Sequence, residues 1–123
     1  MEERRKFIRV IESLRITYKV MVPPNGTGEC LTKSFGEGGI SFTVQQKLNP
    51  GDVLELDIAL PTLSGSIKAT GQVVWVKEIK QFTLRFMMGV KFIDITPFER
   101  DEVLNYIREK LGKGHSDEVG WFE

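Results

Sequence analysis

One cysteine, Cys30, and one histidine, His115, are the only thiol and imidazole in the 123 residues of this chain. A single thiol cannot form an internal disulfide, so cysteine usage says nothing about the compartment. One thiol and one imidazole also give no basis for a structural metal cluster, and no metal is expected. The charge has no net sign: seventeen Lys and Arg balance seventeen Asp and Glu. That neutrality argues against a protein that coats nucleic acid, which carries a basic excess. No run approaches the ~20 apolar residues that span a bilayer, and the N-terminus lacks an apolar signal core. The expected address is the cytoplasm, with no membrane insertion.

The composition, 41% hydrophobic and 28% charged, is that of an ordinary globular chain, and the length suits one domain with one core. The charge is unevenly placed. Residues 1–9 hold four basic and two acidic side chains, whereas residues 97–123 hold four basic and seven acidic. The basic cluster lies in "ERRKFIRV", which brings Arg4, Arg5, Lys6 and Arg9 together ahead of any clear core element. A local cluster on a neutral protein suits a small anionic ligand better than a long polyanion.

From Leu14 to Val22 apolar side chains alternate, the period of a strand with one buried face. "PPNGTG" at residues 23–28 is turn chemistry, and a short strand is expected near residues 29–33. "SFGEGGISF" reads as a loop that ends in the alternating Ile40, Phe42 and Val44. "NPGD" at residues 49–52 makes the next turn, and Leu54, Leu56, Ile58 and Leu60 alternate after it. Ile67, Ala69, Gly71, Val73 and Trp75 then share one face of a long strand. Val74 and Val76 make its other face apolar, so that end is expected to be covered on both sides. Phe82 to Phe92 supply the last strand.

At Thr96 the period changes. "TPFE" offers an N-cap, a proline at the first helical position and a glutamate to close a capping box. Val103, Leu104, Ile107 and Leu111 fall at helical spacing, and Gly112 stops the helix. The expected organisation is an arm at 1–12, a β-barrel at 13–95, a helix at 96–112 and a mobile tail at 113–123. Short strands without interleaved helices mean an antiparallel sandwich or barrel. A six-stranded barrel is favoured because closure leaves no open edge.

No catalytic set is visible. His115 falls in the tail, without a nucleophile or carboxylate that spacing ties to it. Cys30, on or beside a strand, reads as a small buried hydrophobe. Two features remain: the arginine arm and "SFGEGGIS" at residues 34–41. Gly36, Gly38 and Gly39 allow close approach of a ligand, but no Gly-Lys-Ser/Thr follows, so this is not a P-loop; taken alone, the stretch reads as a tight hairpin connection with a bulge.

Arm and glycine-rich stretch together resemble the PilZ domain. That family opens with Arg-x-x-x-Arg, filled here by Arg5 and Arg9, with Arg4 as the accompanying third arginine. Its Asp/Asn-x-Ser-x-x-Gly motif aligns with Ser34, Gly36 and Gly39, and "GGISF" continues it intact. "LNPGDVLELDIALP", "GQVVWV" and "GVKF" follow in the family's order, so the resemblance covers residues 3–111.

The resemblance implies a six-stranded antiparallel β-barrel with a C-terminal helix. It also implies a binding module, not an enzyme, that needs no cofactor. The implied ligand is cyclic di-GMP, a bacterial second messenger, held by Arg4, Arg5, Arg9, Ser34, Gly36 and Gly39. The family relays messenger level to motility, biofilm or polysaccharide output, usually through a partner protein, whose identity is not legible here; no nucleic-acid polymer is expected. Two positions depart from the motif: Ser34 replaces Asp/Asn and Gly36 replaces Ser. They open an alternative, a protein-interaction domain that has lost the nucleotide.

Overall fold

A computed structural model describes residues 8–21, 26–61, 66–112 and 119–121. In chain order the elements are β1 (Ile8–Ile11), β2 (Arg15–Val20), β3 (Thr27–Gly36), β4 (Gly39–Val44), β5 (Val53–Ala59), β6 (Ser66–Gln81), β7 (Thr83–Asp94), α1 (Pro97–Gly112) and β8 (Val119–Trp121). The sheet order is β2-β5-β6-β7-β4-β3-β1-β8, and β2 also pairs with β3. That extra pairing closes six strands into the expected antiparallel barrel.

Closure is possible because β3 is long enough to serve two neighbours along one edge. Residues 27–31 pair with β2, and residues 34–36 pair with β1. The core inside the ring is the alternating set read from the sequence: Ile16, Tyr18, Phe42, Leu54, Ile58, Ile67 and Val90 are all buried. Tyr18 stacks on Phe42 with centroids 5.7 Å apart.

Several expectations need correction. The arm at 1–12 is not wholly outside the core: residues 8–11 are β1, and Val10 is completely buried. Burying a valine contributes about 1.5–3 kcal/mol, enough to fasten a short strand onto β3. The tail at 113–123 likewise contributes β8, which pairs with β1; His115 and Phe122 lie outside the described residues, as do residues 22–25 of the first turn. "SFGEGGISF" is not an extended loop but the tight hairpin connection with a bulge. β3 runs to Gly36, β4 begins at Gly39, and only Glu37 and Gly38 connect them.

β6 also departs from the expected pattern. The pairing shifts between Val73 opposite Val90 and Trp75 opposite Gly89, so Val74 is a bulge. The inward phase ends there: Val74 and Trp75 are 45% and 42% exposed, so this end is not covered on both faces. A bulge reverses the face on which later residues lie.

The helix is capped as its sequence indicates. Glu99 N–H donates to Thr96 Oγ1 at 3.2 Å, and Thr96 Oγ1 donates to Glu99 Oε1 at 2.9 Å. The other Glu99 oxygen accepts from Lys68 N–H at 2.8 Å, which ties the helix start to β6. Val103 and Ile107 are buried as expected, but Leu111 is exposed and Tyr106 is buried instead.

Candidate functional site

A bulge in β3 builds the site. Thr32 pairs with Phe42, but Ser34 pairs with Ser41, so one residue of β3 is extra. Strict alternation would put Thr32 and Ser34 on one face and Phe35 on the other. The bulge instead leaves Thr32 beside the buried Phe42 and Phe35 beside the buried Ile40. Ser34 is thereby turned to the barrel's outer face, together with Ser41.

β1 supplies the cation over that face. Val10 opposes Phe35 and is buried, so Arg9, one position earlier and opposite Gly36, points outward. Its Nη1 lies 3.4 Å from Ser34 Oγ. Ser34 Oγ is 2.7 Å from Ser41 Oγ, and both serines are buried. A guanidinium has no acceptor, so it donates and the Ser34 oxygen receives. Arg9 Nη2 lies 3.1 Å from the place a Cβ on Gly39 would occupy. That Cβ would also collide with the Val90 carbonyl. Glycine at 39 therefore lets β4 close on β7 and leaves room for the arginine beside it.

The row continues across the barrel. Ser41 opposes Gly89 on β7, and a Cβ on Gly89 would strike the Trp75 indole. Arg9, Ser34, Ser41, Gly89 and Trp75 thus form one transverse row over β1, β3, β4, β7 and β6. At one end is a forked donor and at the other a half-exposed aromatic face, with glycines and hydroxyls between. Such a surface can pair with an anion and stack a planar ring.

Of the residues singled out from the sequence, the structure brings together Arg9, Ser34, Gly36 and Gly39. Arg4 and Arg5 lie outside the described residues. Ser41, Gly89 and Trp75, which join this candidate row, were not singled out from the sequence, because their shared face depends on the bulges in β3 and at Val74. All three do stand in motifs of the resemblance, Ser41 in "GGISF", Gly89 in "GVKF" and Trp75 in "GQVVWV".

The strand bearing Arg9 is anchored from behind. Glu12, just after β1, accepts a hydrogen bond from Tyr106 Oη at 2.6 Å and lies 3.6 Å from Lys110 Nζ. Its carbonyl accepts from Thr32 Oγ1 at 2.6 Å, while Leu14 N–H donates to the same hydroxyl at 2.9 Å. Tyr106 also meets Phe35 edge-on, with centroids 6.0 Å apart.

Other candidates lie off this row. A groove of about 670 Å³ is lined by Lys19, Glu55, Asp57, Lys68, Asp94 and Glu99, among others, and contains none of the predicted residues. Hydrogen bonding from Ser66, with help from Lys68, holds the Asp57 carboxyl below the usual range. Burial, with Glu29 adding to it, pushes the Cys30 thiol up to about 11, as suits a packing residue and not a nucleophile. Among the described residues no cluster of His, Cys, Asp and Glu could hold a metal, and no helix is long and apolar enough to cross a membrane.

The fold is a closed six-stranded β-barrel that carries an arginine on a strand outside its ring, over a glycine-floored face. The chain belongs to the PilZ domain family, which matches residues 3–109. No curated protein is similar to it in sequence.

Solved structures agree on the fold. The Bacillus subtilis inhibitor of motility MotI/DgrA is 22% identical with a TM-score of 0.75, over 93% of this chain and 55% of that one. The PilZ domain of YcgR from Escherichia coli, solved with c-di-GMP, is 14% identical with a TM-score of 0.67, over 91% and 98%. The K. pneumonia MrkH–c-di-GMP complex is 11% identical with a TM-score of 0.66, over 93% and 55%. The chain therefore spans about half of MotI and of MrkH, but nearly all of the isolated YcgR domain.

Proposed function

We propose that this protein is a cyclic di-GMP receptor domain, a binding module and not an enzyme, acting in the cytoplasm. The observation that carries the reading is Arg9, held on the barrel's outer face by neutral hydroxyls over a glycine floor. Cyclic di-GMP has two phosphates and two guanines. A guanidinium can pair with phosphate oxygens or with guanine O6 and N7 through two parallel bonds. Ser34, backed by Ser41, helps to orient the Arg9 guanidinium on this face.

In this reading Arg9, Arg4 and Arg5 grip the ligand, Gly36 and Gly39 give it room, and Trp75 offers a stacking face. Ser34 acts chiefly by holding Arg9, since its hydroxyl is already engaged. The liganded YcgR domain and MrkH complex support the ligand assignment. Output passes to a partner protein, and the likeness to an inhibitor of motility favours motility over biofilm or polysaccharide control.

Isothermal titration of the full chain with cyclic di-GMP tests the proposal. Binding is expected in the wild type and is expected to be lost in Arg5→Ala with Arg9→Ala. No heat from the wild type, or unchanged affinity in the double variant, would reject it.

One observation favours a second reading, a domain that has lost the nucleotide: Gly36 has no side chain and the Ser34 hydroxyl is occupied. Under that reading binding emerges only when Ser34→Asp and Gly36→Ser are combined.

A further inference from the structure

β6 outlasts its neighbour. β5 pairs with it only as far as Val53 opposite Gln72, and the last backbone bonds on that side join Val73 to Gly51 and Asp52. β6 then runs on to Gln81 with β7 as its only partner among the described residues. Residues 74–81 thus present an open strand edge, a ready template for another strand.

The side chains around this edge are exposed and apolar. Val74, Trp75 and Leu84 are more than two-fifths exposed, and Phe82 is fully so. Phe82 also turns the hairpin with φ 67°, a left-handed backbone that glycine or asparagine would adopt more readily. Local stability alone does not explain an aromatic residue there.

The order of charges says what fits the edge. Antiparallel strands related by a two-fold axis must set one residue opposite its own copy, because opposed residues share a face. An axis at Lys77, Glu78 or Lys80 would oppose like charges. An axis at Val76 would set Glu78 against the partner's Val74 and form no ion pair. An axis at Ile79 sets Ile79 against itself and Val76 against the partner's Phe82. It also pairs Glu78 with the partner's Lys80, twice over. Lysines on an edge commonly ward off pairing. Here Glu78, which lies 3.9 Å from Lys80 within the chain, makes the edge complementary to its own reverse.

We infer that residues 74–81 are the interface between two copies of this chain, joined as an antiparallel four-stranded ribbon centred on Ile79. This inference does not depend on the messenger reading. Sedimentation of the full chain through a dilution series tests it. The wild type is expected to dimerise, and Lys80→Glu or Glu78→Lys to weaken the dimer by at least about tenfold. Combining the two reverses both pairs and is expected to restore it. Amide exchange at residues 74–81 is expected to slow as wild-type concentration rises, a readout that needs no variant. A wild type that stays monomeric throughout, single variants that dimerise as tightly, or a double variant that stays apart would each overturn the inference.

Discussion

Tyr106 on α1 donates a 2.6 Å hydrogen bond to the carboxylate of Glu12, three residues beyond Arg9. The contact joins the C-terminal helix to the strand that carries the site's arginine. Lys110 supports the same oxygen from 3.6 Å, and its ammonium lies 5.9 Å from the Tyr106 ring centre.

The first prediction follows from that contact. Tyr106→Phe removes a hydrogen bond to a charged acceptor, worth about 1.5–3 kcal/mol, while keeping the ring against Phe35. Urea denaturation is expected to show a loss of that size. Amide exchange in β1 is expected to rise more than in β5, since β5 has no link to Glu12.

A second prediction separates geometry from charge at the arginine. Arg9→Lys keeps the positive charge but not the planar fork, and is expected to weaken cyclic di-GMP binding by about tenfold. Ser41→Ala keeps the Ser34 hydroxyl against Arg9 but removes the partner of Ser34. A smaller loss of affinity is expected there, with melting temperature lowered only slightly. Equal affinity of Arg9→Lys and wild type would show that the fork is not used.

The two glycines of the row should respond differently. Gly39→Ala sets a methyl against the backbone carbonyl of Val90, which cannot move without opening the β4–β7 ladder. A loss of about 1–3 kcal/mol in stability is expected. Gly89→Ala meets the Trp75 indole, a side chain that can swing away. The fold is expected to survive with a red-shifted tryptophan emission and weaker ligand binding.

Cys30 gives a pH prediction. Its thiol is raised from 9.0 to about 11, first by burial and then by the Glu29 carboxylate. Between those values the folded chain holds a proton that the unfolded chain has released. The folded state binds more protons there, so stability falls as pH rises through that window and is unaffected below it. Burial likewise raises the Tyr18 hydroxyl from its ordinary 10.0, which adds loss in the same direction from about pH 10 upward. Cys30→Ala is expected to flatten the fall near pH 9–11 in denaturation curves. Alkylation of the native thiol is expected to lag behind a free cysteine until the pH nears 11.

The sequence by itself determined the barrel, the capped helix and the family, because each rests on local regularities. Period-two alternation fixes which strand face is inward, and Thr96 to Glu99 fix where the helix starts. Arg9 and Gly39 were also legible, since their motif is written in consecutive residues. What only the tertiary structure decided is which face each site residue takes. A bulge is one extra residue in a pairing, and pairing belongs to two strands at once, so no single stretch encodes it. The bulge before Ser34 turned an expected loop contact into a support for Arg9. The bulge at Val74 brought Trp75 from the expected core to the outer face. Residues 8–11 looked like arm because their charge dominates the local pattern. Val10 decided otherwise, since burying one side chain against β3 outweighs the preference of its charged neighbours for water.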